Sequence, residues 1–210
     1  MEMRQLLFAD KLFKMTLANS KIRIHPSFCV GLCISLLTLP IPWVTAWLFA
    51  AVIHELGHYV ALNILHIPVL RMTLCYNGAY IETGYMTKWG ELFSAAAGPT
   101  AGIVCILMYS YFPELAICAF IQSVYNLLPL PDYDGGRIIK SVIRCFLPPI
   151  NADGVYSGVV LGVCLLLVLL GIYFWLIARL GIILFLICVM PVIKYYITKI
   201  PCKGTKQIVQ

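Results

Sequence analysis

An apolar run, residues 43–65, carries three ionisable side chains within five positions: His54, Glu55 and His58. Residues four positions apart share one face of a helix, so the imidazoles of His54 and His58 can bind the same Zn²⁺ ion. Glu55 then lies beside the metal and is placed to take a proton from an attacking water molecule. This His-Glu-x-x-His spacing predicts a zinc-dependent hydrolytic centre with one Zn²⁺ per chain.

A catalytic zinc needs a third protein ligand and an open coordination position. Asp134 is one candidate, and the two glycines that follow it allow the backbone to turn sharply. Asp132, two residues earlier, could be the ligand instead, and Glu82 is a weaker option. The remaining histidines, His25 and His66, lie near predicted span ends and are not expected to bind the metal.

The composition indicates what surrounds this centre. Of the 210 residues, 61% are hydrophobic and only 11% are charged, whereas about 25% of residues are charged in soluble domains. A soluble domain and a disordered chain are therefore excluded, and an integral membrane protein is predicted. Ionisable groups inside a membrane span cost several kcal/mol, which argues against an accidental His-Glu-x-x-His match.

The apolar runs predict an all-α polytopic membrane protein with about six transmembrane helices. Between the second and third helices, residues 69–89 alternate in polarity and contain Asn77-Gly78, which predicts a membrane-associated β-hairpin. The six spans are expected at about residues 27–39, 43–65, 92–112, 115–128, 156–177 and 180–196.

The basic residues predict the orientation. Six spans leave both termini on one side of the membrane, and every Lys and Arg except Arg179 falls on that side. Both termini are therefore expected in the cytoplasm, in a multi-pass protein of the cell membrane. The net charge of +6 serves orientation and attraction to anionic lipid, so no nucleic-acid partner is expected.

Three segments follow from this topology. Residues 1–26 form a basic cytoplasmic or interfacial segment, residues 27–196 form the six-span domain, and residues 197–210 form a basic cytoplasmic tail. The nine cysteines include no Cys-x-x-Cys pair and lie mostly in apolar runs, so neither a disulfide framework nor a thiolate zinc site is expected.

The motifs together resemble the site-2 protease family of intramembrane zinc metalloproteases. His-Glu-x-x-His in one span is followed by Asn126-x-x-Pro129 and then by Asp134-Gly-Gly-Arg at the end of a later span. The Ser94-to-Gly102 segment resembles the small-residue Ala-Gly-Pro segment of the family. Ile22-Arg-Ile-His-Pro26 resembles the start of the branch that processes sporulation sigma factors.

This resemblance implies a role for each matching residue. His54, His58 and Asp134 would be the zinc ligands, Glu55 the general base, and Asn126 a neighbour of the substrate backbone or developing oxyanion. Gly98 and Pro99 would pack near the catalytic helix. This sequence departs from the family pattern at Asp132, where a proline is usual. The C-terminal nucleotide-sensing CBS domain of the sporulation members is not expected here, because only about fourteen residues follow Tyr196.

The predicted function is an intramembrane zinc endopeptidase that cleaves a membrane-embedded or membrane-tethered protein. The sporulation-like features imply a bacterial protein that activates a tethered transcription factor such as a pro-sigma factor, under the control of regulatory membrane proteins. The hairpin is a candidate to hold the unwound substrate by strand addition. The alternatives are a general membrane peptidase that clears remnant signal peptides or matures a peptide, and a non-catalytic metal-binding protein or transporter.

Overall fold

A computed structural model describes residues 22–75, 78–177 and 182–199 of this mostly helical protein. The chain divides into two compact units, the first ending at Asn126 and the second beginning at Leu127. The elements are β1 (Ile22–Ile24), α1 (Pro26–Thr38), α2 (Ile41–Ile64), β2 (Val69–Cys75), β3 (Gly78–Thr83), α3 (Lys88–Val104), a 3₁₀ turn (Cys105–Met108), α4 (Pro113–Asn126), α5 (Asp134–Phe146), α6 (Pro149–Ile172), a π turn (Tyr173–Ile177) and α7 (Ile182–Lys199).

The first unit contains the predicted hairpin, enlarged by one strand. Strands β2 and β3 pair antiparallel, and β1 adds to the other edge of β2 in parallel, opposite residues 72–74. Residues 22–24 were expected only in an interfacial segment; as β1 they give backbone partners to an edge of β2 that would otherwise be unpaired. Most of that segment, residues 1–21, and the tail from residue 200 lie outside the described residues.

The helices α2, α3 and α4 pack through small side chains. A Cβ atom at Gly57 of α2 would lie 2.6 Å from the carbonyl oxygen of Ala97 in α3, so the two backbones approach closely only because Gly57 has no side chain. Gly102 of α3 likewise allows a close approach to α4, because a Cβ there would overlap the side chain of Ser123. The apolar core of this unit consists of Ala46, Ala50, Cys105, Cys118 and Ala119.

The first helix of the second unit, α5, lies between the fourth and fifth predicted spans and was not itself predicted. Helix α5 is strongly amphipathic, since its apolar and charged residues alternate with helical periodicity from Asp134 to Phe146. Lys140 and Arg144 of α5 both form ion pairs with Asp153 of α6, at 3.6 and 3.4 Å. These ion pairs join the basic helix to the second turn of the apolar helix that follows.

Within the described residues, two helical stretches, Lys88–Met108 and Asn151–Leu176, are long and apolar enough to cross a membrane. Every predicted span overlaps a helix, but the count of six is not confirmed. Helix α1, with 13 residues, is about 20 Å long and shorter than a hydrocarbon core of about 30 Å. Helix α2 has 24 residues, and its polar His-Glu-x-x-His group lowers its hydropathy.

Candidate metal centre

The two histidines of the motif face the interior of the first unit from helix α2. His54 is 3% exposed and His58 is 6% exposed. Their Nε2 atoms lie 3.2 Å apart, and the rings meet edge to face with centroids 4.9 Å apart. Two nitrogens bound to one tetrahedral zinc ion lie about 3.3 Å apart, because each N–Zn bond is about 2.0–2.1 Å long. The pair is therefore spaced as two ligands of one metal.

The protonation of His58 is set by a backbone atom. Its Nδ1 lies 2.7 Å from the carbonyl oxygen of Ser94 in helix α3. A carbonyl oxygen only accepts hydrogen bonds, so Nδ1 carries the proton and Nε2 keeps its lone pair. Metal-binding histidines are commonly oriented by such a second hydrogen bond. The His58 ring is thus held in the tautomer that binds a metal through Nε2.

Asn126 also reaches this pair. Its Nδ2 atom at the C-terminal end of α4 lies 3.1 Å from Nε2 of His54, so the side-chain amide is within hydrogen-bond distance of a predicted ligand atom. Asn126 therefore lies beside a candidate metal ligand. Its role toward a substrate remains a prediction.

Glu55 follows His54 on α2 and is half-buried. Its side chain is neither fully desolvated nor fully open to solvent, which suits a group that exchanges a proton with water. The prediction that Gly98 packs near the catalytic helix is confirmed, because a Cβ at Gly98 would overlap the ring of His58. Pro99 is buried, and its packing near that helix stays a prediction.

Asp134 lies in the second unit, as the first residue of α5. It is 9% exposed, and one carboxylate oxygen lies 3.6 Å from Nη1 of Arg137, one turn along the helix. The partial positive charge of the helix N-terminus also stabilises an anionic carboxylate there. Asp132, the alternative ligand, is exposed.

Steric crowding explains why two glycines follow Asp134. A Cβ at Gly135 would overlap the carbonyl of Leu127 and lie 2.7 Å from that of Leu128. A Cβ at Gly136 would overlap the carbonyl of Leu130. The loop 127–133 therefore folds directly onto the first turn of α5, which fixes the backbone on both sides of Asp134.

The other candidates have different surroundings. Glu82, the weaker third-ligand option, lies in β3 and forms an ion pair with Arg71 of β2 at 3.5 Å. His25 caps α1 by accepting a hydrogen bond from the backbone N–H of Ser27 at 3.2 Å. His66 has a left-handed backbone, φ 56°, and ends helix α2. These arrangements agree with the expectation that neither His25 nor His66 is a ligand.

Sequence reasoning missed the carbonyl of Ser94. A backbone atom leaves no residue-type signal, although the small residues around it predicted a close helix contact. The donors described here fit zinc, since two neutral imidazole nitrogens and a carboxylate are ligands that this ion accepts.

No protein-family model matches the chain. It is 22% identical over 186 residues to a zinc metalloprotease of Methanocaldococcus jannaschii, which covers 79% of this chain and 54% of that protein. It is 30% identical over 124 residues to a provisionally named zinc metalloprotease of Synechocystis sp., which covers 49% of this chain and 33% of that protein. The structure is similar to that of a site-2 protease from Methanocaldococcus jannaschii, with a TM-score of 0.59 and 21% sequence identity. The matched region covers 90% of this chain and 94% of that one.

The fold is therefore that of a site-2 protease, and the predicted resemblance to this family is confirmed. The chain spans about half the length of the first curated relative and a third of the second. The names of these relatives support a zinc metalloprotease function. They do not distinguish the sporulation branch from the rest of the family.

Proposed function

We propose that this protein is an intramembrane zinc endopeptidase, which hydrolyses a peptide bond in or near the membrane span of another protein. The observation that carries this proposal is the buried pair of His54 and His58, with Nε2 atoms 3.2 Å apart on an otherwise apolar helix. Two buried ring nitrogens this close need either a shared hydrogen bond or a shared ligand. A Zn²⁺ ion, one per chain, is that ligand in our proposal.

Asp134 completes the ligand set in this proposal. Its support comes from its own surroundings: it is buried, lies at a helix N-terminus and has Arg137 beside one carboxylate oxygen. A carboxylate that is kept anionic and held by a rigid turn is suited to a cation. Asp132 is exposed, which favours Asp134 between the two.

In this proposal the metal, Glu55 and Asn126 each have a distinct role in peptide-bond hydrolysis. Zinc, when bound, acts as a Lewis acid toward the scissile carbonyl and the attacking water. Glu55 takes a proton from that water and later donates it to the leaving amine. The Asn126 amide, a neutral donor close to His54, stabilises negative charge that develops on the carbonyl oxygen.

The substrate must expose a peptide bond, because a membrane helix hides its carbonyls in intrahelical hydrogen bonds. In our proposal an unwound substrate segment adds to the sheet of the first unit by main-chain pairing. With the strand order β1-β2-β3, strand β2 already has a partner on each side, and β3 offers a six-residue edge where β1 offers three. We therefore assign the substrate to the edge of β3.

The cellular setting follows the same proposal. The chain crosses the membrane several times with both termini in the cytoplasm, since its basic residues gather on that side of the predicted topology. The substrate is a membrane-embedded or membrane-tethered protein, and regulatory membrane proteins control access to it. The resemblance of residues 22–26 to the sporulation branch supports regulated proteolysis in a bacterium, for example pro-sigma-factor activation.

A comparison of the wild type with Glu55→Gln tests the activity. Each is produced in the same bacterial host, zinc per purified chain is measured, and new peptide termini in the host membrane proteins are mapped by mass spectrometry. We expect equal zinc in both proteins, and termini within membrane spans in the wild type only. Termini confined to remnant signal peptides would favour a general membrane peptidase, and identical termini in the two strains would contradict the proposal.

A further inference from the structure

One face of helix α3 holds the ring of His58 at both of its nitrogen atoms. The carbonyl of Ser94 accepts the hydrogen bond from Nδ1 at 2.7 Å. One turn later, at Gly98, an added Cβ would overlap Nε2 and lie 2.8 Å from Cδ2, and its three nearest atoms all belong to the His58 ring. The main chain of Gly98 therefore packs directly against the metal-binding nitrogen.

We propose that Gly98 is a positioning residue of the metal centre, whose missing side chain leaves room for the imidazole of His58 in the orientation that places Nε2 beside Nε2 of His54. This inference rests on the proposed function, because it assumes that His58 is a ligand. It extends the centre to a residue that donates no ligand atom.

The contacts around the His58 ring leave it little room to move. It is buried, its Nδ1 is tied to Ser94, and its Nε2 lies 3.2 Å from Nε2 of His54. The backbones of the two helices also approach closely nearby, where a Cβ at Gly57 would meet Ala97 and Ala101. A methyl group at position 98 must therefore either push α3 away, which breaks the Ser94 hydrogen bond, or rotate the ring and move Nε2.

The local sequence argues in the same direction. A glycine inside a helix costs about 1 kcal/mol relative to alanine, and here it precedes Pro99, which removes another backbone donor from α3. A helix that only had to cross the membrane would gain from alanine at position 98. The contact with His58 explains why this choice disagrees with local helix propensity.

The test uses the purified full chain in detergent and compares Gly98→Ala with Gly102→Ala. Both glycines lie in α3 and both are too confined for a Cβ, but the Gly102 Cβ would meet Ser123 and Ala119 rather than a histidine. Zinc affinity is measured by competition with a chromophoric chelator. We expect Gly98→Ala to bind zinc about 10–100-fold more weakly, as is typical when the surroundings of a metal ligand are disturbed. Gly102→Ala should keep the wild-type affinity.

Cobalt substitution supplies a signal that packing alone does not change. The visible absorption bands of bound Co²⁺ report the arrangement of its ligands, so we expect altered bands in Gly98→Ala and wild-type bands in Gly102→Ala. Gly158→Ala serves as a neutral control, because a Cβ there has no atom within 4 Å.

Variants built in a His58→Ala background cover the case in which Gly98→Ala alone does not fold. In metal-free protein, the loss of thermal stability from Gly98→Ala should disappear in a His58→Ala background, whereas the loss from Gly102→Ala should persist there. Undiminished destabilisation by Gly98→Ala without the His58 ring, or wild-type zinc affinity in Gly98→Ala, would overturn the inference. A wild type that binds no zinc would instead refute the proposed function.

Discussion

The imidazole of His58 donates a hydrogen bond to the backbone carbonyl of Ser94, across the contact between α2 and α3. A main-chain acceptor ties the orientation of a candidate ligand to the register of the two helices. A shift of one residue along α3 would present a different carbonyl and release Nδ1. The same packing that buries the histidines therefore selects the tautomer in which Nε2 is available to a metal.

Substituting the two buried histidines should abolish metal binding. We expect His54→Gln and His58→Gln to retain little zinc after dialysis, because each loses an imidazole donor from the pair. His66→Gln is the matched control, since His66 is exposed and ends α2 in a left-handed conformation. Metal analysis of the purified chains measures the outcome, and a zinc content in His58→Gln equal to that of His66→Gln would exclude the pair as ligands.

The two neighbouring aspartates offer an equally close comparison. Asp134→Asn should lower zinc content strongly while Asp132→Asn leaves it unchanged, because only Asp134 is buried at the rigid start of α5. Asparagine preserves the size of each side chain and removes only its charge. If Asp132→Asn loses zinc and Asp134→Asn keeps it, the alternative ligand left open by the sequence is the correct one.

The sequence predicts the candidate metal ligands better than it predicts the groups that position them. His54 and His58 were recognisable because their spacing matches one helical turn and because ionisable groups are rare in apolar runs. The Ser94 carbonyl was not recognisable, since every residue carries one.

The elements show a similar division. Asn77-Gly78 and the alternating polarity predicted the β2–β3 hairpin, which depends on local turn chemistry. Strand β1 was missed because it joins β2 from far away in the chain, and three residues carry too little periodicity to indicate a strand. Helix α5 was not predicted although its pattern is amphipathic, because membrane spans are recognised as continuous apolar runs and α5 is not one.

The first turn of α5 should tolerate no side chain at Gly135. An alanine there would collide with the backbone carbonyls of Leu127 and Leu128, which cannot move aside as a flexible side chain would. We expect Gly135→Ala to destabilise the protein by about 3 kcal/mol, the upper part of the usual range for overpacking. Gly154→Ala, which meets open space in α6, should have no such cost. Unfolding in mixed micelles with increasing denaturing detergent compares the two, and equal midpoints would contradict the tight loop-to-helix contact.

Asn126 should act on the reaction and leave metal binding intact. Its Nδ2 lies 3.1 Å from Nε2 of His54, and loss of a single donor to a developing oxyanion typically lowers kcat by about 10²–10³-fold. We therefore expect Asn126→Ala to keep wild-type zinc content and to lower cleavage by about that factor, measured on the sites found in the wild-type terminus map. Asn63→Ala, at an exposed asparagine near the end of α2, provides the matched control. A loss of zinc in Asn126→Ala would instead make Asn126 a support of His54, and unchanged cleavage would remove it from the proposed mechanism.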